Sequence, residues 1–166
     1  MEKNKKKNIQ NNYLIDRLAF ITKNATLIGD ITIGKKTSVL YGSVLRADLN
    51  YIKIGSFSNI QDNAVIHVDH NNSVLIGNYV SVGHGAIIHG ATVEDNCIIG
   101  MGAILLNGAK VCKNSIIGAG AVVTENTLIP QNSLVVGVPG KVIRNLNKEE
   151  IENIKKNALE YVKLLP

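Results

Sequence analysis

The sequence has no tryptophan, two phenylalanines and five tyrosines, so aromatics make up only 4% of it. Hydrophobic residues still reach 45%. The core is therefore expected to be aliphatic and evenly layered. Cysteine is equally scarce. Cys97 and Cys112 alone make no disulfide framework, and a reducing, cytoplasmic location is the simplest expectation. No apolar run approaches the roughly 20 residues that a membrane span needs, so no membrane partner is expected. The early lysines precede no apolar stretch, which argues against a secretory signal. Positive charge is concentrated at one end. Lys3, Lys5, Lys6 and Lys7 against Glu2 supply +3 of the net +5. They lie in an Asn-rich stretch that reads as a disordered basic tail over residues 1–12. The remaining charge makes no nucleic-acid surface, and no such partner is expected. At 166 residues the chain is long enough to bury one core.

What is abundant is repetition. In sixes from Val93 the chain reads VEDNCI, IGMGAI, LLNGAK, VCKNSI, IGAGAV, VTENTL and IPQNSL. The first position is always aliphatic. The fifth is small or modest: Cys97, Ala103, Ala109, Ser115, Ala121, Thr127 and Ser133. Three such units make one 18-residue turn of a triangular coil. Its turns stack about 4.8 Å apart as parallel sheets. The first position fills the interior, and the fifth sits at a corner too tight for a large side chain.

The earlier half keeps the rule through Leu27, Ile33, Val39 and Leu45, then Ile54, Ile60 and Ile66, then Ile76, Val82 and Ile88. Leu45 to Ile54 contains three extra residues, and Ile66 to Ile76 four, in the polar run 68–73. The step from Ile88 to Val93 is five, one residue short, near Gly90. About six coils are expected, over residues 13–143. Pro139 in GVPGK suits their end. Residues 144–166 follow as a C-terminal segment. Asn147 and Glu150 form a capping-box start, and Ile151, Ile154, Ala158 and Val162 recur at helical spacing from about Lys148 to Leu164.

The same register aims the histidines. Arg46, His67 and His89 each stand second in a unit, separated by one turn plus the extra residues. The second position alternates with the buried first, so these three form one outward column. Asp62 and His84, each third, form another. Two histidines on adjacent rungs can share a metal, but such a site needs a third ligand. His84 belongs to the other column, so a neighbouring coil packed alongside could supply it. His70 falls in the inserted loop. Cys97 occupies a packing slot, and Cys112 points outward.

RAD at Arg46–Asp48, NIQDNAVIH at Asn59–His67 and VGHGAIIHG at Val82–Gly90 resemble the γ-class carbonic anhydrase family, over roughly residues 12 to 164. Members are homotrimers of left-handed parallel β-helices, and the handedness expected here comes from that resemblance. It implies a metal between subunits, held by His67 and His89 of one copy and His84 of the next. It implies that Gln61 orients the metal-bound water, that Arg46 and Asp62 pair near the interface, and that Asp48 and Asn59 support them. The implied reaction is reversible hydration of CO2 to bicarbonate by a metal-bound hydroxide. The metal lowers its water's pKa to about 7, a figure that comes from carbonic anhydrase itself. Zinc is the default metal, and an imidazole site also suits iron or cobalt.

Two features depart from the best-studied branch. Leu49 follows Asp48 where that branch has a glutamate, and the loop after His67 is the short VDHNNS. This resembles a shorter branch, many of whose members show weak or no anhydrase activity. Asp69 or His70 is then the candidate proton shuttle. Three alternatives share the coil: a hexapeptide acyltransferase with one histidine as base, an acyl-CoA thioesterase, and a non-catalytic trimer glued by its metal.

Overall fold

The structure is a computed structural model and describes residues 10–164. Short strands follow one another round a triangular coil, each pairing in parallel with the strands one turn away. One stack rises from the first half of the long strand Val44–Ile54 through Val65–His67, Ile87–His89, Ile104–Leu105 and Val122–Val123. A second rises from its other half through Val74–Ile76, Thr92–Val93, Lys110–Val111 and Leu128–Ile129. The third runs from Phe20–Ile21 to Ser133–Val136. The result is a parallel β-helix of about seven turns. The additional turn is the first. Asn12–Ile15 pairs with the second half of Thr26–Ile33, and Phe20–Ile21 pairs with Ser38–Val39. Its sequence, YLIDRLAFI, hides the six-residue rule. The basic tail expected over residues 1–12 falls mostly outside the described residues, and Asn12 opens the first strand.

Each first-position aliphatic stacks on the next. Leu45, Ile66, Ile88 and Leu105 form one such pile, all fully buried. Fifth-position side chains fill the corners from inside: Cys97, Ala103, Ala109, Ser115 and Ala121 are likewise buried. A rule of the fourth position also emerges. From residue 36 to residue 132, outside the two units that carry insertions, a corner residue turns the chain with φ between +54° and +70°. Glycine and asparagine adopt that conformation at least cost, which is why they dominate there. Lys36, Phe57 and Tyr79 are exceptions, and the last two pair. Their rings stack 5.1 Å apart, and Lys155 lies over Tyr79 at 4.6 Å.

Burial has a chemical consequence for Cys97. It pushes the thiol up to about 12, so almost no thiolate exists near neutral pH. In native protein, a thiol reagent at pH 8 is expected to label the half-buried Cys112 and to spare Cys97 until unfolding. Mass mapping showing equal labelling would refute this.

All three breaks in the period are real. Register shifts between Gly29–Ala47 and Asp30–Tyr51, leaving Asp48, Leu49 and Asn50 as the three extra residues. The loop after His67 is looped out between strands that pair normally on either side. Ile88 pairs with Ile66 and Leu105 while Val93 pairs with Ile76 and Val111, so the missing residue lies between them, at Gly90.

The parallel ladder ends at Ser133–Val136. The chain reverses through residues 137–140, and Lys141–Asn145 returns antiparallel with a register shift at Leu134/Val135. The helix Lys148–Lys163 begins with a full capping box, Asn147 and Glu150 each satisfying the other's backbone. Arg144 grips both Glu150 carboxylate oxygens, at 2.8 and 2.7 Å. Ile154 and Ala158 are buried. Asn157 donates to Ser81, and Asn96 donates to the Ile151 carbonyl, so the helix lies along the coil. No helix is long and apolar enough to cross a membrane among the described residues.

Candidate metal centre

Strand pairing stacks Arg46, His67 and His89 on three successive rungs. The two imidazoles meet, His67 Nδ1 lying 2.9 Å from His89 Nε2. Their outer nitrogens are also engaged. His67 Nε2 lies 3.1 Å from Asp48 Oδ1, and His89 Nδ1 lies 2.6 Å from Asn107 Oδ1.

These partners fix the protons. Asp48 is an ionised carboxylate and only accepts. Burial alone would raise its pKa, but Arg46 at 2.5 Å and His67 hold it below its ordinary value. His67 Nε2 therefore carries the hydrogen. Burial, with Arg46 and His89, keeps the His67 imidazole below its ordinary pKa against the pull of Asp48. Its Nδ1 is thus left with a lone pair. Where His89 Nε2 is a lone pair as well, the two inner nitrogens repel unless a cation lies between them. A shared proton meets that need, and so does a metal ion, for which neutral imidazoles are the usual donors.

His84 stands at the preceding corner, one turn beyond Asp62. Its Nδ1 lies 3.1 Å from Asp62 Oδ2, and both side chains are substantially exposed. All three candidate ligands thus have one ring nitrogen held by an acceptor and the other left over. This is how metal-binding histidines are commonly oriented. His84 does not join the other two within the chain. Among the described residues, no three His, Cys, Asp or Glu side chains converge on one point.

The Arg46–Asp62 pair is not made within one chain. Arg46 turns to Asp48, and Asp62 accepts from the Tyr41 backbone N–H and holds His84. Gln61 is buried, and its Nε2 donates to Asn59 Oδ1 at 3.0 Å. Asn59 in turn donates to Ser81. Asp69 is anchored by the Asn71 and Asn72 backbone N–H groups and by the Asn72 and Asn107 amides. The Asn71 N–H first, then the Asn72 N–H and amide, lower its pKa against the effect of burial. It is a fixed anion, which leaves His70 as the loop's candidate proton carrier. The loop exposes His70, whose backbone carbonyl accepts from Asn50.

Sequence reasoning missed Asn107, Asn157 and Tyr161. Asn107 lies 18 residues after His89, but the deletion at Gly90 shortens that turn to 17, so Asn107 stands one place past the rung mate of His89. Asn157 and Tyr161 sit on the helix and reach a cleft of about 250 Å³ beside Gln61 and His84. No strand register says where a helix docks, so nothing in the repeat could place them.

Residues 90–125 match the family model described as bacterial transferase hexapeptide (six repeats). The "Probable carbonic anhydrase" of Methanocaldococcus jannaschii is 56% identical, over 91% of this chain and 95% of that one. "Gamma carbonic anhydrase 2, mitochondrial" of Arabidopsis thaliana is 46% identical over 91% of this chain, which spans 56% of that longer protein. Among solved structures, a hexapeptide transferase family protein from Anaplasma phagocytophilum superposes with a TM-score of 0.88. It is 38% identical and covers 92% of this chain and 90% of its own. Identity and coverage of this order show that the chain belongs to the γ-class carbonic anhydrase family of hexapeptide-repeat proteins.

Proposed function

We propose that the protein is a metal-dependent γ-type carbonic anhydrase, hydrating CO2 reversibly to bicarbonate at a site shared between copies of a homotrimer. One observation carries this reading. Three histidines each have one nitrogen held by Asp48, Asp62 or Asn107, yet only two of them meet within the chain. His67 and His89 would hold the ion from one copy, and His84 from the next. Zinc is the first metal to test, with iron and cobalt also suited to imidazole donors. A bound metal supplies nucleophilic hydroxide from water near neutral pH.

The chain's own residues do the rest. Gln61 gives its Nε2 to Asn59, so its Oε1 is left to accept a hydrogen bond from the attacking water and fix its direction. Asp48 orients His67, and Arg46 balances the carboxylate's charge. Arg46 and Asp62 are both part-exposed, and a neighbouring copy would bring them together. His70, in the exposed loop, is the candidate to pass the released proton to buffer.

Stopped-flow CO2 hydration tests the reading, on protein loaded with zinc and separately with iron under anaerobic conditions. Metal-dependent turnover at stoichiometric loading supports it. Stoichiometric metal without turnover reduces the protein to a metal-bridged trimer. Failure to bind metal removes the reading altogether.

A second reading has its own observation. His84, with Nδ1 on Asp62 and a cleft walled by Ile98, Met101 and Tyr161 beside it, also has the arrangement of a general base. Acyl transfer from CoA, or hydrolysis of an acyl-CoA thioester, would use it so. Tight acetyl-CoA binding by metal-free protein would favour that chemistry.

A further inference from the structure

We infer that Asn107, held by Asp69, is a positioning residue that sets the tautomer of His89 and thereby prepares its Nε2 for the metal. The inference rests on the metal reading above and deepens it. Asp69 is acceptor-only as an ionised carboxylate, so the Asn107 group 2.6 Å from its Oδ2 must be the Nδ2 amide. The amide's other end, Oδ1, then faces His89 Nδ1 at 2.6 Å and can only accept. His89 must therefore carry its hydrogen on Nδ1. Its Nε2 is left as a lone pair, directed toward His67.

The chain is deformed in two places to build this relay. Asp69 comes from the loop inserted after His67, 38 residues from Asn107 in sequence. Gly90, where one residue is missing, supplies the room. A Cβ there would lie 2.3 Å from Asn107 Oδ1 and 2.7 Å from Asn72 Cβ. The inserted loop brings the carboxylate to this corner, and the missing Cβ of Gly90 leaves space for the amide. The insertion and the deletion, separate events in the sequence, therefore meet on one side chain. The relay also gives Asp69 a purpose other than proton transfer.

Removal of an outer partner of a metal-bound histidine typically weakens metal binding about 10–100-fold. Asn107→Leu keeps the volume but loses the acceptor. Its zinc affinity, measured by competition with a chelator, is expected to fall by about that factor, with oligomeric mass and far-UV circular dichroism unchanged. The double variant Asn107→Asp/Asp69→Asn reverses donor and acceptor along the Asp69–Asn107 link while still giving His89 an acceptor. It is expected to restore affinity, whereas Asn107→Asp alone sets two carboxylates against each other and does not. Independently of any metal, long-range ¹H–¹⁵N spectra of the metal-free wild type should show a hydrogen on His89 Nδ1, whether or not Nε2 shares a proton with His67. Three results overturn the inference: zinc affinity of Asn107→Leu within twofold of wild type, His89 Nδ1 observed without a hydrogen, or a double variant no better than Asn107→Asp. If Asn107→Leu fails to fold, the wild-type tautomer still decides. If wild-type protein binds no zinc at all, the metal reading falls, and the spectrum alone judges the relay.

Discussion

Replacing His84 with alanine is expected to remove the bound metal and the hydration activity together while leaving the coil intact. The side chain is 47% exposed, and its one partner is Asp62 at the surface. An exposed pair of this kind contributes at most about 1 kcal/mol to stability. Loss of a ligand costs more than the roughly 10–100-fold that loss of an outer partner costs, so stoichiometric metal should disappear and turnover should drop to the uncatalysed rate. His67→Ala should do the same from the other side. The two variants also test whether the site is shared. Mixed trimers contain subunits with an intact His67–His89 pair and subunits with an intact His84. Of the three interfaces in such a ring, one joins a good pair to a good third ligand. Co-refolding the two inactive proteins should therefore restore up to a third of the metal and activity. If mixed trimers form, as native mass spectrometry would show, and no metal returns, the shared site is wrong.

A second large effect is expected from Gly29→Ala, far from any ligand in sequence. Gly29 has φ +89°, and a Cβ there would lie 1.9 Å from the Ala47 carbonyl oxygen and 3.0 Å from the Asp48 nitrogen. Backbone must move, and the first backbone to move carries Asp48. The left-handed conformation costs about 1–2 kcal/mol for alanine, and overpacking about 1–3 more, so a loss of roughly 2–5 kcal/mol is expected in urea denaturation. Displaced Asp48 would also release His67 Nε2, with weaker metal binding as a result. Gly120→Ala is the control. Its φ is +66°, but nothing lies within 4 Å of the added Cβ. It should cost only the conformational share, and the metal site should be untouched. Equal losses at the two positions would show that the close approach to Ala47 matters little.

The coil was legible because its two rules, an aliphatic first position and a small fifth, are steric and repeat without regard to neighbours. The three breaks in period were legible for the same reason. The first turn was not, since Tyr13, Arg17 and Phe20 replace the regular pattern there. The fourth-position rule is visible in retrospect as the Asn or Gly of nearly every late unit. Columns of outward side chains followed from register, so His67 over His89 and Asp62 beside His84 were predictable. Partner choice was not. Within one chain Arg46 bends back two residues to Asp48, because the three-residue insertion carries that carboxylate round to the same face, a contact the register did not show. Asn107 was hidden by the deletion that shifts its register against His89, and Asn157 and Tyr161 by a docking geometry no repeat encodes.

A stack of parallel rungs has no internal reason to stop. Its last strand offers the same open row of donors and acceptors as every strand below it, and a second molecule could continue the ladder end to end into a fibre. Lys141–Asn145 closes off that growth. It runs against the direction any further rung would need, pairs with a shifted register, and puts Lys141 and Arg144 on a short, fully exposed edge. The segment that looks like a mere connection to the helix therefore blunts one of the coil's three faces against templating further copies.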